Sequence, residues 1–175
     1  RRVMAVTFHP DGRVMHNGVN MTPTQMVDQW RVPATFNVSG NIYITSWERN
    51  DSSGFAKIGT GMSHSSGVFT FPSTGIYLIG VNGTGNTDGG GFNWVRISIT
   101  VTVNNSSYTE VAGAYQAVES NNQHWAAATQ HIFDVTDTST HKVKFQIQGS
   151  NTRPYAYGDT DANRTVALFT RLGDT

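Results

Sequence analysis

The sequence predicts an all-β protein built as an antiparallel sandwich, and three observations carry that prediction. Apolar residues recur with a period of two in segment after segment. Clusters of Gly, Pro, Asn, Asp and Ser separate those segments. Charged residues make up only 14% of the chain while Thr, Ser, Asn and Gly abound, as in rigid surface-exposed β-proteins. The run from Ser66 to Ile79 shows the pattern in one line. Phe69 and Phe71 alternate with Val68 and Thr70, and Pro72 ends the strand because it cannot donate to a ladder. Ser73-Thr74-Gly75 reverses the chain into a second strand, so the segment reads as a hairpin. On that second strand Ile76 and Leu78 fall on one face and Tyr77, Ile79 and Val81 on the other, so both faces need cover.

The elements follow in order. Val3 to Phe8 and Arg13 to Met15 flank the turn His9-Pro10-Asp11-Gly12 and predict a small hairpin. Its apolar residues Met4, Val6, Phe8, Val14 and Met15 cannot be buried by two strands alone, so a partner is expected, either the main domain or copies of itself. Asn20 to Trp30 is the one stretch with a helical reading. Thr22-Pro23 suits an N-cap and first turn, and Met26, Val27 and Trp30 fall near one face. Val32-Pro33 restarts extended chain, Phe36 and Val38 begin a strand, Ile42 and Ile44 another, and Asn50 to Gly54 is a turn cluster. Asn82 to Gly91 is expected to be a loop too rich in glycine for regular structure. Val95, Ile97, Ile99, Val101 and Val103 then alternate with Arg96, Ser98, Thr100 and Thr102, giving a long strand with one wetter face. Asn104 to Ser107 turns the chain into Tyr108 to Val118, and Lys142 to Gln148 alternates most cleanly of all. The expected organisation is an N-terminal hairpin and linker over 1–28 and a head over 29–175.

Much chemistry is excluded by what these residues are. Twelve basic and twelve acidic residues balance to zero with no basic cluster, so no nucleic-acid partner is expected. No apolar run approaches bilayer length and no charged-then-apolar leader is present, so no membrane insertion is expected. The absence of cysteine removes disulfides, thiolate nucleophiles and thiolate metal sites. The histidines at 9, 16, 64, 124, 131 and 141 lack zinc-site spacing, and no Gly-x-Ser-x-Gly elbow frames a serine. Gly83 to Gly91 is no phosphate loop, because no Lys-Ser or Lys-Thr follows it and Phe92 begins a strand. Asp159, Asp161 and Asn163 alternate as in the first half of a calcium loop. Arg164 stands where the glycine belongs and Thr170 at the acidic closing position, so a solvated loop is expected. Triplets such as Asn37-Val38-Ser39 and Asn163-Arg164-Thr165 are at chance frequency in so Asn-, Ser- and Thr-rich a chain. No catalytic residue, metal site or cofactor is called, and the chain does not read as an enzyme.

The strand ending at Pro72, followed by Gly75, Ile76, Tyr77 and further apolar residues, resembles the sandwich domain of complement C1q heads and the tumour necrosis factor family. Ile132-Phe133-Asp134-Val135, a polar turn, then Val143, Phe145 and Ile147 are similar to that family's penultimate pair of strands, and Thr165 to Leu172 to its closing strand. The resemblance covers Gln29 to Leu172 and implies a jelly roll that assembles as a homotrimer, with Tyr77 and Phe169 at the trimer interface. Its strand order implies that the loops 83–91, 119–123 and 151–163 share the end opposite the termini. Trp94, Trp125, Arg153, Tyr155 and Tyr157 then sit in or beside those loops, with Asp159 and Asp161 near. They offer stacking surfaces, a fork of donors and acceptors suited to a glycan, against the plainer reading of core aromatics and a solvated turn.

The apolar segment ending in Asp-Gly-Arg-Val resembles those that precede such heads in bacteriophage fibres and spikes. The implied function is therefore a virion protein, the head of a tail fibre, spike or capsid-surface projection. It would bind neighbouring virion proteins through its N-terminal segment and a host glycan or outer-membrane protein through its loops. A capsid decoration protein without a receptor role is the close alternative. A secreted, extracellular C1q-like recognition module is the more distant one, because disulfides, leader and collagen repeat are absent from the sequence.

Overall fold

The computed structural model describes residues 6–10, 14–16, 19–20, 26–87, 94–119, 122–150 and 154–175. All regular structure among them is β. A small meander comes first: β1 (Val6–Phe8) pairs with β2 (Val14–His16), and β2 with β3 (Val19–Asn20), all antiparallel. The expected hairpin is thus present, extended by a third strand; residues 11–13 of its turn lie outside the described residues.

Two sheets form the sandwich. The first contains β4 (Met26–Arg31), β5 (Phe36–Asn37), β7 (Glu48–Arg49), β10 (Gly75–Thr87), β13 (His124–Val135), β15 (Pro154–Ala156) and β16 (Val166–Gly173). Its order is β5-β15-β10-β16-β4-β7, with β13 on the other side of β10. The second contains β6 (Asn41–Tyr43), β8 (Ser63–Ser65), β9 (Val68–Thr70), β11 (Trp94–Thr102), β12 (Thr109–Ala117) and β14 (Lys142–Gly149). It runs β12-β11-β14-β9-β8, and β6 also pairs with β14. The inward residues of both sheets alternate as a half-buried strand requires. Val95, Ile97, Ile99, Val143, Phe145 and Ile147 from one sheet meet Tyr77, Ile79, Phe133, Ala167 and Phe169 from the other, all buried. Phe69, Phe145 and Phe169 meet in tilted and edge-on contacts with centroids 5.0 to 5.9 Å apart, the geometry that ring quadrupoles favour.

Three expectations are corrected. Residues 26 to 31 form a strand, not the end of a helix, because burial alternates with a period of two, placing Met26, Asp28 and Trp30 inward. This strand starts ahead of the boundary drawn after position 28 and pairs with β16 along its length. Val68–Thr70 and Gly75–Thr87 are not a hairpin pair. The first belongs to one sheet and the second to the other, so Pro72 to Thr74 is a corner between layers. Asn82 to Thr87 continue β10 instead of opening a loop. Gly83 and Gly85 leave room for the Trp125 indole, since a Cβ at Gly85 would lie 2.7 Å from that ring, and the ring supplies the cover that the missing side chains do not.

Polar groups inside are paired. Asp28, fully buried, accepts hydrogen bonds from the Trp30 indole N–H at 2.9 Å, the Met62 backbone N–H at 2.7 Å and the Arg49 guanidinium at 3.0 Å. Arg31, also fully buried, donates to Glu48, Asn50, Ser52 and Asp51 at 2.6 to 3.0 Å. One guanidinium thereby orders the connection from Glu48 to Ser52 against the first sheet.

Candidate functional site

The chain enters the sandwich at Met26, which pairs with Arg171, and Gly173 pairs with Ile76, so both ends of the domain meet at one end of β10. The opposite end gathers the flanks of the three expected loops. The Thr87 backbone N–H donates to Gln123 O at 3.0 Å, and the Asn122 N–H to Thr87 O at 2.9 Å. Tyr155 lies opposite Asn86 in the ladder. The Tyr157 hydroxyl lies 3.4 Å from His124 Nδ1.

The five residues expected to bind a ligand there do not form one surface. Trp125 is buried beneath the glycines of β10 and donates its indole N–H to Tyr155 O at 3.1 Å, so it is a core residue and offers no stacking face. Tyr155 and Tyr157 are half-buried and adjacent, and Arg153 lies outside the described residues. Trp94 faces away, on the outward side of the second sheet, edge-on to Tyr115 at 5.4 Å. The segment after Tyr155 is bonded down: Tyr157 N–H to Thr84 O at 2.8 Å and Asp159 N–H to Val32 O at 2.9 Å. The Asp159 carboxylate accepts the backbone N–H groups of Asp161 and Ala162, which hold its pKa below the ordinary range. That carboxylate closes a turn, in keeping with a solvated loop.

The trimer assignments of Tyr77 and Phe169 also change. Both are fully buried within one chain; Tyr77 donates its hydroxyl to Ser73 O at 2.9 Å, pinning the corner, and Phe169 packs on Phe69. The other face of the same strands is what lies uncovered. Ile132 is 59% exposed, Leu168 40% and Leu172 48%, with Ile76 and Leu78 half-buried beside them. Leu78 pairs across the ladder with Ile132, and Gly80 lies between Leu168 and Gln130. The period-two pattern showed that both faces were apolar; the sequence held no signal for which of them faced inward.

The outward face of the second sheet is of another kind. Arg96 lies 5.3 Å over the Tyr115 ring and pairs with Glu110. Lys144 Nζ lies 3.9 Å over Tyr108 and 4.9 Å over Tyr43. Burial and the neighbouring Tyr43 hold the Tyr108 hydroxyl above its ordinary pKa. These residues come from four separated segments, so no local motif announces them.

No protein-family profile and no curated protein matches this chain. Solved structures do. The chain is similar to Eiger TNF from S. frugiperda, with a TM-score of 0.66 and 9% identity, covering 87% of this chain and 95% of that one. It is also similar to murine APRIL at pH 5.0, with a TM-score of 0.60 and 13% identity, covering 84% of this chain and 98% of that one. Such identities speak for fold, which is a tumour-necrosis-factor-like jelly roll.

Proposed function

We propose that this jelly roll is a non-catalytic, homotrimeric recognition head whose subunits associate through the outward face of the β13-β10-β16-β4 sheet. The observation that carries the proposal is the aliphatic patch of Ile132, Leu168 and Leu172, with Leu78 and Ile76 beside it. Exposed aliphatic side chains gathered on one sheet face mark an interaction surface, and burying them at about 25 cal/mol per Å² supplies the driving force. The fold neighbours support an assembly of this type by likeness of fold alone.

The setting proposed is the surface of a bacteriophage particle, as a tail-fibre, spike or capsid-surface head. The uncovered Val6 and Phe8 of the meander support an attachment role for the N-terminal segment toward other virion proteins. The loop end, with Tyr155 and Tyr157, lies opposite the end where the chain enters the sandwich at Met26 and is the proposed contact with a host glycan or outer-membrane protein. Three heads would multiply a weak single contact. The backbone bonds that tie down residues 157 to 159 favour the second reading, capsid decoration without a receptor role.

Light scattering tests the assembly and should give three chain masses at micromolar concentration; a monomer overturns the trimer. Adsorption of the particle tests the loops. A Tyr155→Ala, Tyr157→Ala double variant should keep the trimer and weaken adsorption to host cells, and normal adsorption decides for decoration.

A further inference from the structure

The second sheet turns outward a surface that the trimer leaves free. Two aromatic corners stand on it. At one, Trp94 and Tyr115 meet edge-on beneath Arg96. At the other, Tyr43 and Tyr108 meet edge-on at 6.5 Å with Lys144 over both rings. The ladder fixes what lies between. Arg96 is flanked by Tyr115 and Gln148, and Ser98 by Gly113 and Gln146, whose partner on the next strand is Tyr43. Between the corners the β12 side is filled by the Arg96–Glu110 pair, since a Cβ at Gly113 would lie 3.1 Å from Glu110 Oε1 and 3.2 Å from Arg96 Nε, and Ser98 is buried; the β14 side carries the amides of Gln146 and Gln148. Tyr108 directly precedes β12, so the corners are separated along the strands: Lys144 lies opposite Thr100, four residues and about 14 Å along β11 from Arg96, far enough to hold an extended ligand between them.

The charges are asymmetric. Arg96 is neutralised by Glu110. Lys144 is not paired: among the described residues no carboxylate lies within ion-pair distance of its Nζ, and its charge rests on two phenol rings. An ammonium held over aromatic faces keeps its hydrogen-bond donors for a ligand.

We propose that this surface binds an oligosaccharide carrying a carboxylate, a uronic-acid type of chain laid along the strands over Gln148, Gln146 and Lys144. Its ring faces would stack on the two aromatic corners, its hydroxyls would meet Gln146 and Gln148, and its carboxylate would meet Lys144. Aromatic rings supply contact area at low entropic cost, and a few placed polar groups fix orientation. One unpaired lysine over the aromatic rings, on a chain of zero net charge, favours this over a nucleic acid, which needs a run of cations along its phosphates. The site is separate from the Tyr155 and Tyr157 end and does not require it.

Calorimetric titration of the whole protein with galacturonic, glucuronic and mannuronic acid trisaccharides tests the proposal, with neutral trisaccharides and a thymidine oligonucleotide alongside. At least one uronate should bind, more tightly than its neutral counterpart. Lys144→Gln should weaken the uronate about tenfold, as expected for losing a hydrogen bond to a charged group, and leave the neutral sugar unchanged. Tyr43→Ala with Tyr115→Ala should weaken both sugars, while the Tyr155 and Tyr157 double variant should bind as the parent does. A parent that binds none of the uronates overturns the proposal, as does Lys144→Gln without effect. Preference for the oligonucleotide, or loss of binding only in the Tyr155 and Tyr157 variant, does so too. Failure of the trimer would leave these titrations readable, because the surface lies within one chain.

Discussion

The two sheets bury their inner faces in the same way and differ in what they turn outward. On the β13-β10-β16-β4 side the exposed large groups are the aliphatic Ile132, Leu168 and Leu172, with the small residues Gly80, Ala126 and Ala128 and the polar Gln130 and Asp134 on the same face. On the β12-β11-β14-β6 side they are Tyr115, Tyr43 and their aromatic, amide and cationic neighbours. Aliphatic side chains have no polar end and gain only from complete removal of water, which suits a permanent contact between identical surfaces. Tyrosine and glutamine gain from partial contact and remain content in water, which suits a ligand that comes and goes. On the proposed reading, the same scaffold separates holding together from recognising by the chemistry of two outward faces.

The largest expected effect comes from breaking the aliphatic side. Leu168→Asp would bring carboxylates into a desolvated contact, and a buried unpaired charge costs several kcal/mol. Sedimentation should show the assembly reduced to single chains, whereas Ser107→Asp in an exposed turn should leave it intact. An L168D protein that stays assembled would show that this face is free.

A smaller effect separates the outward face of β10 from its inward one. Tyr77→Phe removes the hydroxyl that donates to Ser73 O, at a cost of about 0.5 to 1.5 kcal/mol seen as a lower denaturation midpoint. The oligomeric mass should not change, because Tyr77 is fully buried within its own chain. A variant that dissociates without losing monomer stability would return Tyr77 to the interface.

Smaller still, Tyr115→Ser on the aromatic side should shift stability by no more than about 0.5 kcal/mol, as surface changes usually do. Loss of several times that amount in urea unfolding would mean that the aromatic surface is structural.

The last effect lies beneath both faces and follows pH. His64 accepts the Gly67 N–H on Nε2 at 2.9 Å, and burial holds its pKa below the ordinary 6.5; burial does the same to His131. The folded chain therefore takes up these protons less readily than the unfolded one. Their contribution is intact above about pH 6.5 and is lost as pH falls through the depressed values. Replacing both by Gln should flatten the acid side of a thermal-stability profile, and an unchanged slope would assign it to other groups.

What the sequence made legible was whatever repeats locally. The alternation in Val95 to Val101 and Lys142 to Gln148 is two-residue periodicity and reads directly as strand, and the family likeness gave the order of the long strands. Met26, Val27 and Trp30 fit a helix over so short a window equally well. The deciding fact, that Asp28 meets Arg49 and the Met62 N–H, joins residues 21 and 34 positions apart. Gly83 and Gly85 read as loop because the Trp125 ring that covers them lies some forty positions on. The aromatic platform was invisible for the same reason: Tyr43, Tyr108 and Lys144 are neighbours only once β6, β14, β11 and β12 are in register.

The pairing of β4 with β16, Met26–Arg31 against Val166–Arg171, sets a condition on how the protein is made. β4 must wait for β16 to leave the ribosome, so while the strands between them are being made the first sheet has an unfilled slot between β4 and β10. During that time its edges and its aliphatic side are open to other nascent chains, and closure of so long a loop is slow compared with local hairpins. Chains translated side by side on one message are therefore each other's nearest partners at the moment the last strand arrives, and yield should depend on how synthesis is spaced as well as on the stability of the finished fold.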